Sequence, residues 1–224
     1  MPLSSSEENY IKAIFQLQVK EGMVSTNEVA AVLQTSAASV TDMLKKLKTK
    51  KLLVYEKYKG FKLNNEGRKL ALMVLRKHRL WETFLVKVLH FNWDEVHEVA
   101  EQLEHIQSQQ LIDHLDDFLG NPTFDPHGDP IPDASGKMPF QSQMNLIKFP
   151  LQINGEVTAV GSQSPDILSL LEHKKITIGA KLKVMQNFAF DNSFELNVND
   201  KELVHISSQL AEQIYVKKIL HDSK

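Results

Sequence analysis

Within residues 97–105, His97, Glu101, Glu104 and His105 recur at spacings of three and four. On a helix of 3.6 residues per turn that spacing brings all four to one face. Glu101-x-x-Glu104-His105 therefore presents two carboxylates and an imidazole from one rigid rod. His78 and Glu82, four apart, do the same on an earlier predicted helix, and two such helices facing each other assemble an oxygen–nitrogen site without any loop. Carboxylates and imidazoles without sulfur suit Mn2+ or Fe2+, with Zn2+ also compatible. A Glu- and His-rich face is equally what a solvated helix displays, and it is the second pair, His78 and Glu82, that favours a metal. His90, His114, His127, His173, His205 and His221 fall in no such pattern and read as surface or packing residues.

A second chemistry lies near the N-terminus. Ser36, Ala37, Ala38, Ser39 and Thr41 open a predicted helix with small hydroxyl- and methyl-bearing side chains. Such groups approach base edges and phosphates in a major groove. Val40, Leu44 and Leu47 face inward, leaving Lys45, Lys46 and Lys48 exposed to neutralise phosphates. A following basic hairpin adds Lys57, Lys59 and Lys62 among Tyr55, Tyr58 and Phe61, of which Tyr55 and Phe61 are expected to pack inside it.

These sites need elements to position them. Ser4, Ser5 or Ser6 caps a predicted amphipathic helix over 4–20. Ser25 and Ser36 cap a short helix at 27–33 and a longer one at 37–50, and two helices joined by a brief turn make a helix-turn-helix. Residues 52–63 read as the hairpin, or wing. Further helices are predicted from 64 or 65 to 89, over 95–106 and over 108–119. Residues 121–139, dense in Pro, Gly and Asp, read as loop and linker. Alternating runs in 146–160 and 181–206 predict a small barrel-like β domain, with short helices near 165–171 and 209–220. The fold class is mainly α with β, in three parts: a winged helix-turn-helix domain at 1–64, a helical metal-binding and dimerisation domain with its linker at 65–140, and a β domain at 145–224. Leu70, Leu72, Val74, Leu75, Leu80 and Leu85 are the apolar surface expected to form a two-fold dimer.

Charge divides along the same lines. The net charge of −2 conceals a first segment, 1–77, with 14 Lys and Arg against 7 acids, and a stretch, 91–135, with 11 acids and no Lys or Arg. The first suits a polyanion and the second a cation. No cysteine is present, which excludes disulfides, thiolate zinc sites and cysteine nucleophiles. The opening residues lack a signal-peptide pattern and no apolar run is long enough to span a bilayer, so a cytoplasmic protein is expected. On the residues alone two other readings stay open: a metalloenzyme such as a hydrolase, and a winged-helix protein-interaction adaptor.

Four segments together resemble one family: Ala38 to Gly60; Arg76-Lys77-His78-Arg79-Leu80-x-Glu82; Val96-His97 through Glu101-x-x-Glu104-His105; and Pro126-His127-Gly128-Asp129-Pro130-Ile131-Pro132. In order and spacing they are similar to the diphtheria-toxin-repressor and manganese-transport-regulator family of metal-dependent repressors. The resemblance implies a homodimer without enzymatic activity or a small-molecule substrate, which binds a palindromic double-stranded operator when activated by Mn2+ or Fe2+. It implies a C-terminal SH3-like (FeoA-like) domain. It assigns Glu101, Glu104 and His105 to the activating site, with Asn9, or its neighbour Glu8, completing it from the first helix. It assigns His78, Glu82 and His97 to an ancillary site, and places C-terminal ligands near Gln163 and Asp166. Three positions depart from the pattern. Asn9 brings no charge where relatives carry Met or Asp. Lys12 puts a cation where manganese regulators carry an acid. Glu101 replaces the Cys of iron-type members and tilts the metal towards Mn2+.

Overall fold

A computed structural model describes residues 3–56 and 59–219. Lys57 and Tyr58, assigned above to the hairpin, lie outside the described residues. Two compact units emerge: residues 1–78, 101–112 and 132–138 in the first, and residues 79–100, 113–131 and 139–224 in the second.

The first unit begins with α1 (Ser5–Glu21), started by a capping box in which Ser4 accepts from the Glu7 amide while Glu7 accepts from the Ser4 amide. Such a cap contributes roughly 1 kcal/mol. Ser25 and Glu28 repeat the box before α2 (Thr26–Val32), and Ser36 caps α3 (Ala37–Thr49). These starts match the sequence reading because a cap is decided within four residues. Tyr10, Ile11, Ile14 and Phe15 of α1 meet Val29, Val40 and Leu47 of the next two helices in one buried core. The hairpin follows as β1 (Leu53–Glu56) and β2 (Gly60–Leu63), with Tyr55 opposite Phe61. Phe61 is buried, but Tyr55 is 63% exposed, contrary to expectation. The reason is position in the sheet: β2 is flanked on its other side by Val24, which exchanges two backbone hydrogen bonds with Phe61, whereas β1 is an edge.

Helix α4 (Asn65–Lys87) places Ala71, Val74 and Leu75 in the first core and carries Leu80, Trp81 and Leu85, also buried, into the second unit. Of the six residues expected to face a dimer partner, Val74, Leu75, Leu80 and Leu85 are thus used up inside the chain. An amphipathic pattern locates a buried stripe but not whether its cover comes from the same chain. Leu70, another of the six, is exposed, as are Leu111 and Phe118 of α6 (Gln109–Phe118), which follows α5 (Val96–Leu103).

The rest of the second unit is a six-stranded antiparallel sheet. Its strands are β3 (Met144–Asn145), β4 (Asn154–Val160), β5 (Lys181–Phe188), β6 (Ser193–Val198), β7 (Glu202–Ile206) and β8 (Ile214–Lys218), in the order β3-β8-β4-β5-β6-β7. Bulges in β4 and β5 bend it. Helix α7 (Pro165–His173) supplies Leu168 and Leu171 to a core shared with Leu182, Leu196, Val198 and Val216. The helix expected at 209–220 is instead one turn, α8 (Ser208–Ala211), followed by β8. Ile214 and Val216 alternate inward on a strand that pairs with both β3 and β4, and those distant partners outweigh the local pattern.

Gly60 tests the wing. Its φ is +108°, and a Cβ there would lie 2.3 Å from the Val24 carbonyl oxygen. Gly60→Ala is expected to cost about 1–3 kcal/mol of stability, measured by denaturant unfolding. Wild-type stability in the variant would refute the close approach.

Candidate functional site

Among the described residues, carboxylates and imidazoles cluster within each unit. In the first, α1 presents Glu8 and Lys12, which are four residues apart and share its buried face. Asn9, expected to complete the site, points out of that face and is exposed. Glu8 takes its place: its Oε2 lies 2.6 Å from His105 Nδ1, and its Oε1 accepts from Gln107 at 3.1 Å. Glu104 is fully buried and lies 2.6 Å from His78 Nδ1. Lys12 Nζ sits 2.7 Å from Oε1 and 2.8 Å from Oε2 of Glu104, and 3.4 Å from the largely exposed Glu101. Burial would raise the Glu104 carboxyl, but the His78 hydrogen bond and the Lys12 charge overcome it and hold it below the usual carboxylate range.

Among the described residues, no group of three carboxylate or imidazole ligand atoms lying mutually within 4.8 Å includes Glu101, Glu104 or His105. The donor types suit a divalent ion, yet the position where their charges converge is held by an ammonium. With Lys12 in place this cluster does not fit a metal.

Of the second cluster the sequence reading gave Glu82 and His97, and missed Asp125 and His127. Glu82 of α4 is fully buried, with Oε1 3.3 Å from His97 Nδ1 and Oε2 3.8 Å from His127 Nδ1. His127, read above as surface or packing, is fully buried, and its Nδ1 is 4.0 Å from Asp125 Oδ1. Glu82, Asp125 and His127 bring ligand atoms within 4.8 Å of one another. Each part of this loop has a cause. His127 Nε2 is 2.7 Å from the Trp93 carbonyl, which only accepts, so Nε2 carries the hydrogen and Nδ1 is directed at the carboxylates. Trp93 also stacks on the ring at 5.9 Å between centroids. Asp125 Oδ1 accepts from the amides of His127 and Asp129, and Arg79 donates to the Pro130 carbonyl and pairs with Asp129. Gly128 has φ +84°, and a Cβ there would fall 1.9 Å from the Thr158 carbonyl oxygen. Behind it the Val160 amide donates to the His127 carbonyl.

His127 Nδ1 is a buried polar atom with no hydrogen-bond partner. Zn2+ sits roughly 2.0–2.2 Å from imidazole nitrogen and carboxylate oxygen, and on that scale the gaps to Glu82 and Asp125 leave room for one divalent ion. This cluster fits a metal. Burial alone would lower His127, but the nearby Glu82 and Asp125 carboxylates overcome it and raise it to about 9. Burial and the same carboxylate push Asp125 up to about 8. Gln163 and Asp166, expected to add C-terminal ligands, stand just before and within the first turn of α7, with Asp166 exposed and outside this group.

The nucleic-acid face is simpler. Ser36, Ala37, Ala38, Ser39, Thr41, Lys45, Lys46 and Lys59 are all exposed, and Lys57 lies outside the described residues. The first turn of α3 leaves backbone amides beside the small side chains of Ala37 and Ala38, favourable to phosphate. Asp42 dilutes the charge by pairing with Lys45 at 2.9 Å.

Metal ligands must be deprotonated, and His127 holds a proton below about pH 9. Divalent-ion binding at pH 7 is therefore expected to release about one proton or more per ion, with the release shrinking and the affinity rising as pH climbs towards 9. Indicator-dye titration in weak buffer measures it, and a pH-independent, proton-free binding would contradict the assignment.

Three family models match the chain: the iron-dependent repressor N-terminal DNA-binding domain over residues 2–61, the iron-dependent repressor metal-binding and dimerisation domain over 64–133, and the FeoA domain over 144–218. The iron-dependent repressor IdeR of Mycobacterium tuberculosis is 33% identical over 152 residues, which span 66% of this chain and 66% of IdeR, just under two thirds of that relative's length. The transcriptional regulator MntR of Bacillus subtilis is 32% identical over 114 residues, 51% of this chain and 80% of MntR. A solved manganese-dependent transcriptional repressor in complex with manganese is 32% identical and superposes with a TM-score of 0.86, covering 95% of this chain and 100% of the other. With the helix-turn-helix, the wing, the clustered carboxylates and the C-terminal sheet all in place, the chain belongs to the iron-dependent repressor family of metal-dependent transcriptional regulators.

Proposed function

We propose that this chain is a metal-activated transcriptional repressor of metal-homeostasis genes, acting in the cytoplasm as a homodimer on a palindromic operator, with Mn2+ or Fe2+ as its activating ion. The observation that carries the reading is the buried His127 Nδ1 aimed at the Glu82 and Asp125 carboxylates. No described helix is long and apolar enough to cross a membrane.

Glu82, Asp125 and His127 would hold the ion, with His97 beside Glu82. An ion bound there would add positive charge to that which Arg79 and His127 already bring to the buried carboxylates. Oxygen and nitrogen donors without sulfur suit Mn2+ and Fe2+. The protein's own residues do the rest. Trp93 fixes the His127 ring, Arg79 and Gly128 fix the loop, and Glu82 ties the site to α4. The earlier turns of that helix, through Ala71, Val74 and Leu75, are built into the core behind the recognition helix. Ion binding at Glu82 would shift the protein towards its DNA-binding-competent state. Ser36, Ser39 and Thr41 would face base edges and phosphates, and Lys45, Lys46 and Lys59 the phosphate backbone. Leu111 and Phe118, seven residues apart on one face of α6, give apolar surface for the dimer.

Operator binding by chelator-stripped protein, probed at fixed salt with its own upstream DNA, is expected to tighten about 5–150-fold on adding Mn2+ or Fe2+. His127→Ala is expected to abolish the response. Equal affinity with and without metal would overturn the proposal.

A further inference from the structure

Lys12 is a buried ammonium at the centre of the first cluster. Its side chain is 9% exposed, and Nζ contacts both oxygens of Glu104 at 2.7 and 2.8 Å and Glu101 at 3.4 Å. A lysine ammonium is a compact point charge on a flexible stem, so it can fill a cation's place and can also withdraw. The neighbouring groups are met from within the chain as well. His78 Nδ1 is 2.6 Å from Glu104, and His105 Nδ1 is 2.6 Å from Glu8. Lys77 adds a second ammonium 3.4 Å from Glu8. Lys12 lies in the segment matched by the DNA-binding family model and Glu104 in that matched by the metal-binding one. The pair therefore joins those two segments inside the first unit without any ion.

We propose that the Lys12 ammonium is a resident cation of this cluster: it holds α1 to Glu104 in the absence of metal and competes with divalent ions for the Glu101 and Glu104 carboxylates. The inference rests on the reading above only in assigning the ion response to Glu82, Asp125 and His127. Lys12 then sets a threshold. A divalent ion enters the first cluster only where its concentration suffices to displace the side chain, so the two clusters fill at different ion concentrations.

Equilibrium dialysis of the full chain against Mn2+, with bound metal counted by elemental analysis, tests this. At a free Mn2+ concentration that just saturates the tightest wild-type site, Lys12→Met is expected to bind about one more ion per chain, or to bind that ion at least about tenfold tighter, because Glu104 is left without its cation. Adding Glu104→Gln to Lys12→Met is expected to remove the gain. Identical isotherms for wild type and a folded Lys12→Met would overturn the proposal. Should Lys12→Met fail to fold, Glu104→Gln with Lys12 retained decides: an unchanged ion count at that concentration supports the proposal, and a lost ion overturns it. His127→Ala in the wild-type background separates the two readings. Failure to lose an ion there sinks the second-cluster assignment and leaves the Lys12 comparison standing.

Discussion

A carboxylate removed from water must be met by a proton, a cation or a set of hydrogen bonds, since burying an uncompensated charge costs several kcal/mol. This chain buries Glu82, Glu104 and Asp125, all with side chains at 0% exposure. The two clusters meet that constraint differently. Glu104 is answered by Lys12 and His78 at hydrogen-bond distance, and its carboxyl stays below the ordinary range. Glu82 and Asp125 face His127 across gaps of 3.8 and 4.0 Å, and Asp125 is driven upward. One cluster is closed with the protein's own charges. The other has Arg79 3.6 Å from Asp125 and leaves the gaps between His127 and the two carboxylates open to a divalent ion.

That contrast divides the labour within the chain. Lys12–Glu104 fastens α1 to the segment after α5 with components that are always present. At Glu82, Asp125 and His127 the proposed ion would come from outside the chain, in varying amount. The scaffolding is correspondingly elaborate. The Trp93 carbonyl selects the His127 tautomer, Arg79 grips the Asp129–Pro130 turn, and Gly128 permits an approach to β4 that no side chain would allow.

What could be read from the sequence follows the range of the forces involved. The helix starts at Ser4–Ser6, Ser25–Glu28 and Ser36 were readable because a cap's partner is three residues away, and the structure selects Ser4 from the first group. The recognition helix and the faces carrying Glu104, His105, His78 and Glu82 were visible in helical spacing. Tyr55 against Phe61 was not, because burial there depends on Val24 covering one side of the hairpin. Strand β8 was mistaken for helix because its pairing with β4 and β3 comes from residues about sixty and about seventy positions away. His127 offered a histidine between two aspartates beside a glycine, but only the folded loop aims it at Glu82. Lys12 was noticed as a cation in an unexpected place, while its grip on Glu104 needed two segments some ninety residues apart to meet. Glu8 rather than Asn9 reaches His105 because the buried face of α1 passes through positions 8 and 12.

The central claim is that metal occupancy at Glu82, Asp125 and His127 and operator binding are one coupled equilibrium. Linkage makes that claim reciprocal. The most direct test is to measure Mn2+ affinity at this site in the free protein and again with saturating operator DNA, at fixed pH and salt. The account predicts that operator tightens Mn2+ binding by the same factor by which Mn2+ tightens operator binding, and that His127→Ala loses both effects together. A Mn2+ affinity indifferent to operator would mean that the ion and the DNA do not communicate, and would contradict it.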